Sequence, residues 1–322
     1  MELYKPSRKD MKESVSTAKK VSALSGLSFL FHWIDCVFCI IRYGCKPDQY
    51  LEGGFYKLRS FDRDITCTLG RGFKLRRIFN ARDYMYVCKD KVEFNKYFAP
   101  YIKRDWLYCK ETTPEKINDF ISKHEEIIVK PIRLTKGKGI HFLDRAEGAT
   151  ALASTLVGQD ILLEEKIVQH PRMCFSNKSV NTVRFNTILD SDQIPHVVKV
   201  TFRCGVGDSV VDNYNAGGVT YPINKEYGRI EGPGGHSKMG QTVFIHPGTD
   251  IFMLGREIPY WNEAVAMVKE AAKSIPQLRF IGWDVAITSN GPVLIEGNSL
   301  PGHHFEYQGY GKGLYRKILS YK

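Results

Sequence analysis

Apolar and polar residues recur along this chain in two rhythms, and the change of rhythm divides it. Between Val21 and Ile41, Leu24, Leu27, Phe31, Ile34, Phe38 and Ile41 return every three or four residues. Ser25, Ser28, His32, Asp35 and Cys39 form a second stripe at the same spacing. Two stripes at helical period predict one amphipathic helix, packed on its neighbours or lying at an interface. A spanning helix needs ~20 apolar residues; the polar stripe breaks that run, and no small-residue cleavage site marks a signal peptide. The first eighty or so residues read as mainly helical. From about Asp83 the texture shifts to short strands, helices and glycine turns. Helices are expected near Lys91, Ile117 and Val268, and strands around Ile128, Leu143, Leu163, Phe185, Val200, Val285 and Leu294. Mixed elements without strict βαβ alternation predict an α+β fold.

Composition narrows the setting. A chain of 322 residues suits two or three lobes, and 43% apolar with 25% charged residues is the profile of a soluble protein with a real core. The balance of 46 Lys and Arg against 35 Asp and Glu gives a formal charge of +11. That favours an anionic partner (nucleotide, nucleic acid, acidic sugar or membrane surface) without choosing among them. The cluster Arg71, Lys74, Arg76, Arg77 and Arg82 has no stacking module or zinc finger beside it, so it reads as a solvated face and no nucleic-acid partner is expected. Lys5, Arg8, Lys9, Lys12, Lys19 and Lys20 read as a solvated arm, with peripheral contact to anionic lipid as the alternative. Eight scattered cysteines form no disulfide framework, which points to a reducing, cytoplasmic setting. Cys36 and Cys39 read as free thiols in a core.

Candidate chemistry concentrates near the end of the chain. Ser289-Asn290-Gly291 is a hairpin turn signal. A three-residue loop would set Thr288 against Pro292, put Asp284 directly opposite Glu296, and leave Asn298 on the same face as Glu296. Facing carboxylates repel unless a cation or proton joins them. Two carboxylates and an amide oxygen are hard ligands, suited to Mg²⁺ bridged onto phosphates. A solvent-facing polar hairpin face would carry the same residues, so the pattern alone leaves both readings open.

Upstream, Lys130 sits in the apolar run Ile127-Ile128-Val129-Lys130-Pro131 and must snorkel or meet an anion. The turn Thr135-Lys136-Gly137-Lys138-Gly139 is small and basic, and its glycines would let backbone N–H groups approach phosphate oxygens. It is not a Walker loop, because a strand follows it rather than a helix; a plain hairpin turn explains it equally well. Ile161-Leu162-Leu163-Glu164-Glu165-Lys166 ends an apolar strand in charge, either to meet an adenine edge or simply to surface. Arg184 and Asn186 share one face of a later strand.

In this order the elements resemble the ATP-grasp superfamily. Within it they resemble the sugar-transfer-associated ATP-grasp family, through Val168-Gln169-His170-Pro171, Ser179-Val180-Asn181-Thr182-Val183-Arg184, Asp212-Asn213 with Gly217-Gly218, Gly282-Trp283-Asp284 and Glu296-Gly297-Asn298. The resemblance implies two α+β lobes gripping ATP, preceded by a helical region: residues 1–82, then a small lobe 83–166, then a C-terminal lobe 167–322. It implies that Lys91 and Lys130 contact ATP phosphates under a loop made of Lys136, Gly137, Lys138 and Gly139. Glu165, Lys166 and Val168 would line the adenine pocket, and Asp284, Glu296 and Asn298 would hold two Mg²⁺ ions. Arg184, Lys130 and Asn298 would serve the reaction itself, with Arg184 facing the transferring phosphoryl group. His303 or His304 would meet the acceptor. Where related enzymes carry a ribose-binding glutamate, this chain reads Gln169-His170-Pro171-Arg172.

The implied activity is ligation of a small-molecule carboxylate to an amine through an acyl phosphate, with release of ADP and phosphate. A kinase on the same scaffold is the second reading, and a non-enzymatic basic binding protein the third.

Overall fold

In the computed structural model, residues 4–132, 139–144, 149–176, 178–209, 212, 217–236, 241–302 and 314–322 are described. Two antiparallel sheets organise the chain after the helical N-terminal region. The smaller has the order β1-β4-β2-β3, from Trp106–Tyr108 (β1), Glu126–Pro131 (β2), His141–Asp144 (β3) and Ile161–Glu165 (β4). The larger runs β10-β9-β7-β6-β5-β11-β12, with β8 beside β7. Its strands are Thr182–Leu189 (β5), Pro195–Cys204 (β6), Val219–Asn224 (β7), Arg229–Ile230 (β8), Gly234–His236 (β9), Gln241–Val243 (β10), Phe280–Thr288 (β11) and Gly291–Asn298 (β12). Together with the helices they form an α+β fold, as expected.

The large sheet is two-faced because its strands alternate. Val183 and Phe185 of β5, Val200 and Phe202 of β6, and Trp283 and Val285 of β11 bury against the helix Trp261–Ser274. Phe94 and Phe98 join the same core, Phe98 meeting the Trp283 ring edge-on at 5.2 Å. Met85, Val87 and Ile102 belong to it as well. Val92 of the same segment packs instead against Ile132 and Leu162 beside the small sheet, so the segment before β1 touches both sheets.

The opposite face is apolar at one end, where Ile188 and Phe280 meet the helices Leu69–Phe79 and Leu314–Leu319. Asn80 pins that end, donating to the carbonyls of Phe280 and Ser299 and accepting from the Phe280 N–H. At its other end this face carries Arg184, Arg203 and Asp284.

The N-terminal segment differs from expectation in two ways. The helix expected across Val21–Ile41 is broken: α1 (Arg8–Ser25) stops at Gly26, whose φ of 75° is left-handed, and α2 (Phe29–Tyr43) restarts from the Ser28 cap. The stripes are also inverted. Of the polar stripe, His32 and Cys39 are buried and Asp35 half-buried while Ser25 and Ser28 stay exposed; of the apolar stripe, Leu24, Leu27, Phe31, Ile34 and Phe38 face outward. The polar stripe can turn inward because its groups are satisfied there. His32 meets Ser25 Oγ at 2.6 Å and Tyr50 Oη at 3.2 Å, and Asp35 takes a fork of Arg63 at 2.6 and 2.8 Å. Cys36 and Cys39 are free thiols, and burial pushes Cys36 up to about 12.

Candidate active site

The hairpin β11–β12 sets Asp284 directly opposite Glu296, as expected, but by a different route. Thr288 pairs with Gly291, so the loop is only Ser289 and Asn290; that register alone would put Asp284 against Ile295. A bulge between Asp284 and Val285 leaves Ile295 unpaired and restores the facing pair. Asn298 donates its amide to Glu296 Oε1 at 3.0 Å.

Asp284 is the hub of a charged network. Arg184, its cross-strand neighbour on β5, forks both of its oxygens, with Nη2 at 2.6 Å from Oδ2. Arg203 on β6 donates to the same Oδ2 at 2.7 Å and, with its other amino group, to Asp212 Oδ1 at 2.8 Å. Asp212 in turn accepts from the backbone and hydroxyl of Thr182. Its placement depends on Gly218, where a Cβ would come within 2.4 Å of the Asp212 carbonyl oxygen. Burial opposes ionisation of Asp284, but the two guanidiniums outweigh it and hold its carboxyl well below the usual range. Glu296 is shifted the other way. Its side chain is half exposed, yet desolvation by the surrounding protein and the Asp284 carboxylate beside it raise its pKa, against the opposing charge of Arg184 at 3.8 Å and the Asn298 amide.

Across from this network stands a second buried carboxylate, Glu164 of β4. Arg104 donates to both of its oxygens at 2.9 and 3.1 Å, Asn95 donates at 3.0 Å, and Lys130 pairs with Oε2. Lys130 therefore meets its anion inside the protein. Burial opposes ionisation of Glu164 too, and Arg104 and Lys130 reverse it, keeping the carboxyl well below its ordinary value. Arg104 also donates to the Leu294 carbonyl at 2.7 Å, which ties the small sheet's carboxylate to β12 of the large one. Lys91 donates to the carbonyls of Pro131 and Ile132, both at 3.1 Å. Burial lowers its pKa; Lys130 lowers it further, whereas the charges of Glu296 and Glu164 act to raise it. Lys91 thus lies in the field of both carboxylate centres.

The structure brings Lys91, Lys130, Arg184, Asp284, Glu296 and Asn298 into this region and sets Glu165, Lys166 and Val168 apart. Glu165 accepts from the Asp105 N–H at 3.0 Å, Lys166 pairs with Glu126 at 2.5 Å, and Val168 is exposed. Asp105, His124 and Glu165 also place ligand atoms within 4.8 Å of one another, with Lys123 paired to Asp105. Gln169 is buried and clasps both backbone groups of Asn181, at 2.6 and 2.7 Å. Gly139 is described; Lys136, Gly137, Lys138, Asn213, His303 and His304 lie outside the described residues.

Four residues central to the geometry were not singled out in the sequence: Glu164, Arg104, Asn95 and Arg203. The signal for Glu164 was there, since Lys130 needed an anion and period-2 alternation separates Glu164 from Glu165. Asn186, expected to share a face with Arg184, does so, and its buried Oδ1 has no hydrogen-bond partner among the described residues.

The oxygen-only set of Asp284, Glu296 and Asn298 suits a hard divalent cation, and the raised pKa of Glu296 is what a carboxylate pair short of positive charge should show.

The sequence profile described as "Sugar-transfer associated ATP-grasp" matches residues 71–320. The chain belongs to the sugar-transfer associated ATP-grasp family. Solved structures similar to this chain are found at low identity. The ATP-grasp ligase PsnB, complexed with a minimal precursor, is 15% identical, with a TM-score of 0.47 over 76% of this chain and 64% of that one. The D-alanine-D-alanine ligase from Coxiella burnetii is 12% identical, with a TM-score of 0.45 over 79% and 65%. N5-carboxyaminoimidazole ribonucleotide synthetase from Thermus thermophilus is 8% identical, with a TM-score of 0.49 over 80% and 59%. This ATP-grasp chain spans less than two thirds of each of these proteins. A search of curated protein sequences finds no match.

Proposed function

We propose that this protein is an ATP-dependent carboxylate–amine ligase that forms an amide through an acyl phosphate and releases ADP and phosphate. The observation that carries the reading is the meeting of opposite charges, with Lys91 in the field of both Glu296 and Glu164. Lys91 and Lys130 stand on one side, and the carboxylate pair Asp284–Glu296 with Asn298 stands on the other. A polyphosphate with its divalent cations complements both sides at once.

In this reading Lys91 and Lys130 bind ATP phosphates, and Lys136, Gly137, Lys138 and Gly139 form the loop that keeps water off them. Asp284, Glu296 and Asn298 would hold Mg²⁺, two ions on the family resemblance, and the metal would supply positive charge against the phosphates. Arg184, already fixed by Asp284, presents its guanidinium beside Glu296 where phosphoryl charge develops. A substrate carboxylate oxygen attacks the γ-phosphorus and the bond to ADP breaks. The amine then attacks the acyl carbon, phosphate leaves with the bonding pair, and the amine nitrogen gives up a proton. The buried, unpartnered Oδ1 of Asn186 is an acceptor suited to an amine or hydroxyl of the substrate. Glu165, Lys166 and Val168 remain the proposed adenine wall. The eight free cysteines support a reducing, cytoplasmic setting.

Hydroxylamine tests the reaction. With ATP, Mg²⁺ and a panel of amino acids and sugar acids, the ligase should yield a hydroxamate with ADP and free phosphate. Phosphate retained on a hydroxyl acceptor would establish a kinase instead, and AMP with pyrophosphate would exclude both.

A further inference from the structure

The proposed reaction makes no use of the N-terminal helix pair, where a continuous stretch of side chains stands uncovered. Every residue from Ala23 to Phe31 is exposed. Leu24, Leu27, Leu30, Phe31, Ile34 and Phe38 are each at least half exposed, Leu24 at 69%. Single exposed apolar residues need no explanation, but a contiguous patch marks a surface that something covers.

The outward orientation is built in. For α2 to bury its apolar stripe it would have to turn His32 and Asp35 to solvent, breaking their bonds to Ser25, Tyr50 and Arg63. The polar network therefore holds the apolar face out.

Basic residues predominate at the rim of this face, with exposed Glu52 in the field of Lys20. Lys19, Lys20 and Arg42 are exposed; Lys20 lies one helical turn from Leu24, and Arg42 one turn from Phe38. The acidic residues of the two helices are already engaged: Asp10 by Lys46 at 2.6 Å, Asp35 by Arg63, and Glu13 near Lys9 at 3.6 Å. We propose that this face docks on an anionic lipid bilayer, with the leucines and phenylalanines at the headgroup–acyl boundary and the basic rim on the headgroups. The helix pair would lie on the membrane rather than cross it, since no helix among the described residues is long and apolar enough to span. A second copy is the poorer occupant, because face-to-face pairing would bring two predominantly basic rims together.

The test uses the full chain with vesicles of phosphatidylcholine alone and of phosphatidylcholine with about one third phosphatidylserine, separated by flotation. The protein should float with the anionic vesicles only, and less so at high salt. Leu30→Ser with Ile34→Ser should cut partitioning at least about tenfold. Lys19→Gln with Lys20→Gln should cut it about fivefold per lysine. Both pairs change exposed residues, so circular dichroism and thermal melting should match the parent. No flotation with anionic vesicles would overturn the proposal, as would flotation unchanged by either pair. A dimer in light scattering that Leu30→Ser and Ile34→Ser dissolve, without vesicle binding, would assign the face to a second copy instead. None of these readouts depends on the ligase reaction.

Discussion

Two carboxylate centres face each other in this protein, and they are balanced in opposite senses. Glu164 on the small sheet meets two cations, Arg104 and Lys130, and an amide from Asn95. On the large sheet three carboxylates, Asp212, Asp284 and Glu296, share two guanidiniums, Arg184 and Arg203. One centre is over-supplied with positive charge and the other is short of it. The pKa directions show where the shortage falls: Glu164 and Asp284, each beside two cations, are held low, while Asp212 and Glu296 are raised, first by desolvation. The first is a finished internal clasp, which Arg104 extends to the Leu294 carbonyl. The second is short of positive charge, which the proposed divalent cation would supply.

The largest effect should come from breaking the finished centre. Glu164→Ala leaves Arg104 and Lys130 without their shared anion in a largely buried site, and removing one partner of a buried ion cluster costs about 3–5 kcal/mol. Urea unfolding should show that loss in the midpoint. Lys130→Met is expected to cost less, because Arg104 still holds both oxygens of Glu164. A Glu164→Ala loss below about 1 kcal/mol would mean the clasp adds no more than an ordinary hydrogen bond.

The unfinished centre should respond the other way. Glu296→Gln removes a charge that Asp284 already repels, so the apo protein should melt no lower than its parent. What should vanish is stabilisation by ATP with Mg²⁺, about 2.7 kcal/mol at a hundred times the dissociation constant. A thermal shift that survives the substitution would remove Glu296 from the metal site.

Much of this arrangement was legible in the sequence because it rests on period-2 alternation. The facing of Asp284 and Glu296 was reached by counting back from a three-residue loop, yet the loop has two residues and a bulge at Ile295 supplies the missing step. Nothing in Ser289-Asn290-Gly291 distinguishes those cases, since Gly291 can end the loop or begin the strand. Alternation also separates Glu164 from Glu165 but cannot say which of the two meets Arg104 and Lys130. The same limit explains the inverted stripes of α2. Period identifies two faces, and an apolar one is expected inside, but a polar stripe whose partners Tyr50 and Arg63 arrive from later in the chain can take its place. Arg203 gave least signal, because a single arginine on an alternating strand looks like solvent-facing polarity until Asp212 and Asp284 are seen beside it.

The smallest effect is the pH dependence of the clasp, and it carries a definite sign. The folded-state pKa of Glu164 lies below its unfolded value of about 4.3, so its contribution is fully present above that value and is lost as pH falls toward the folded one. Stability should therefore drop on acidification through that window, as the unfolded chain takes up a proton that the folded one refuses. Asp10, Asp35 and Asp284 are also held low and share the acid limb, so Glu164→Gln should flatten it without abolishing it. One proton fewer corresponds to a slope smaller by up to about 1.4 kcal/mol per pH unit. Urea titrations between about pH 5 and pH 3 measure it directly. An unchanged slope would mean that Arg104 and Lys130 do not act on Glu164 as charges, and the contrast between the two centres would then reduce to packing.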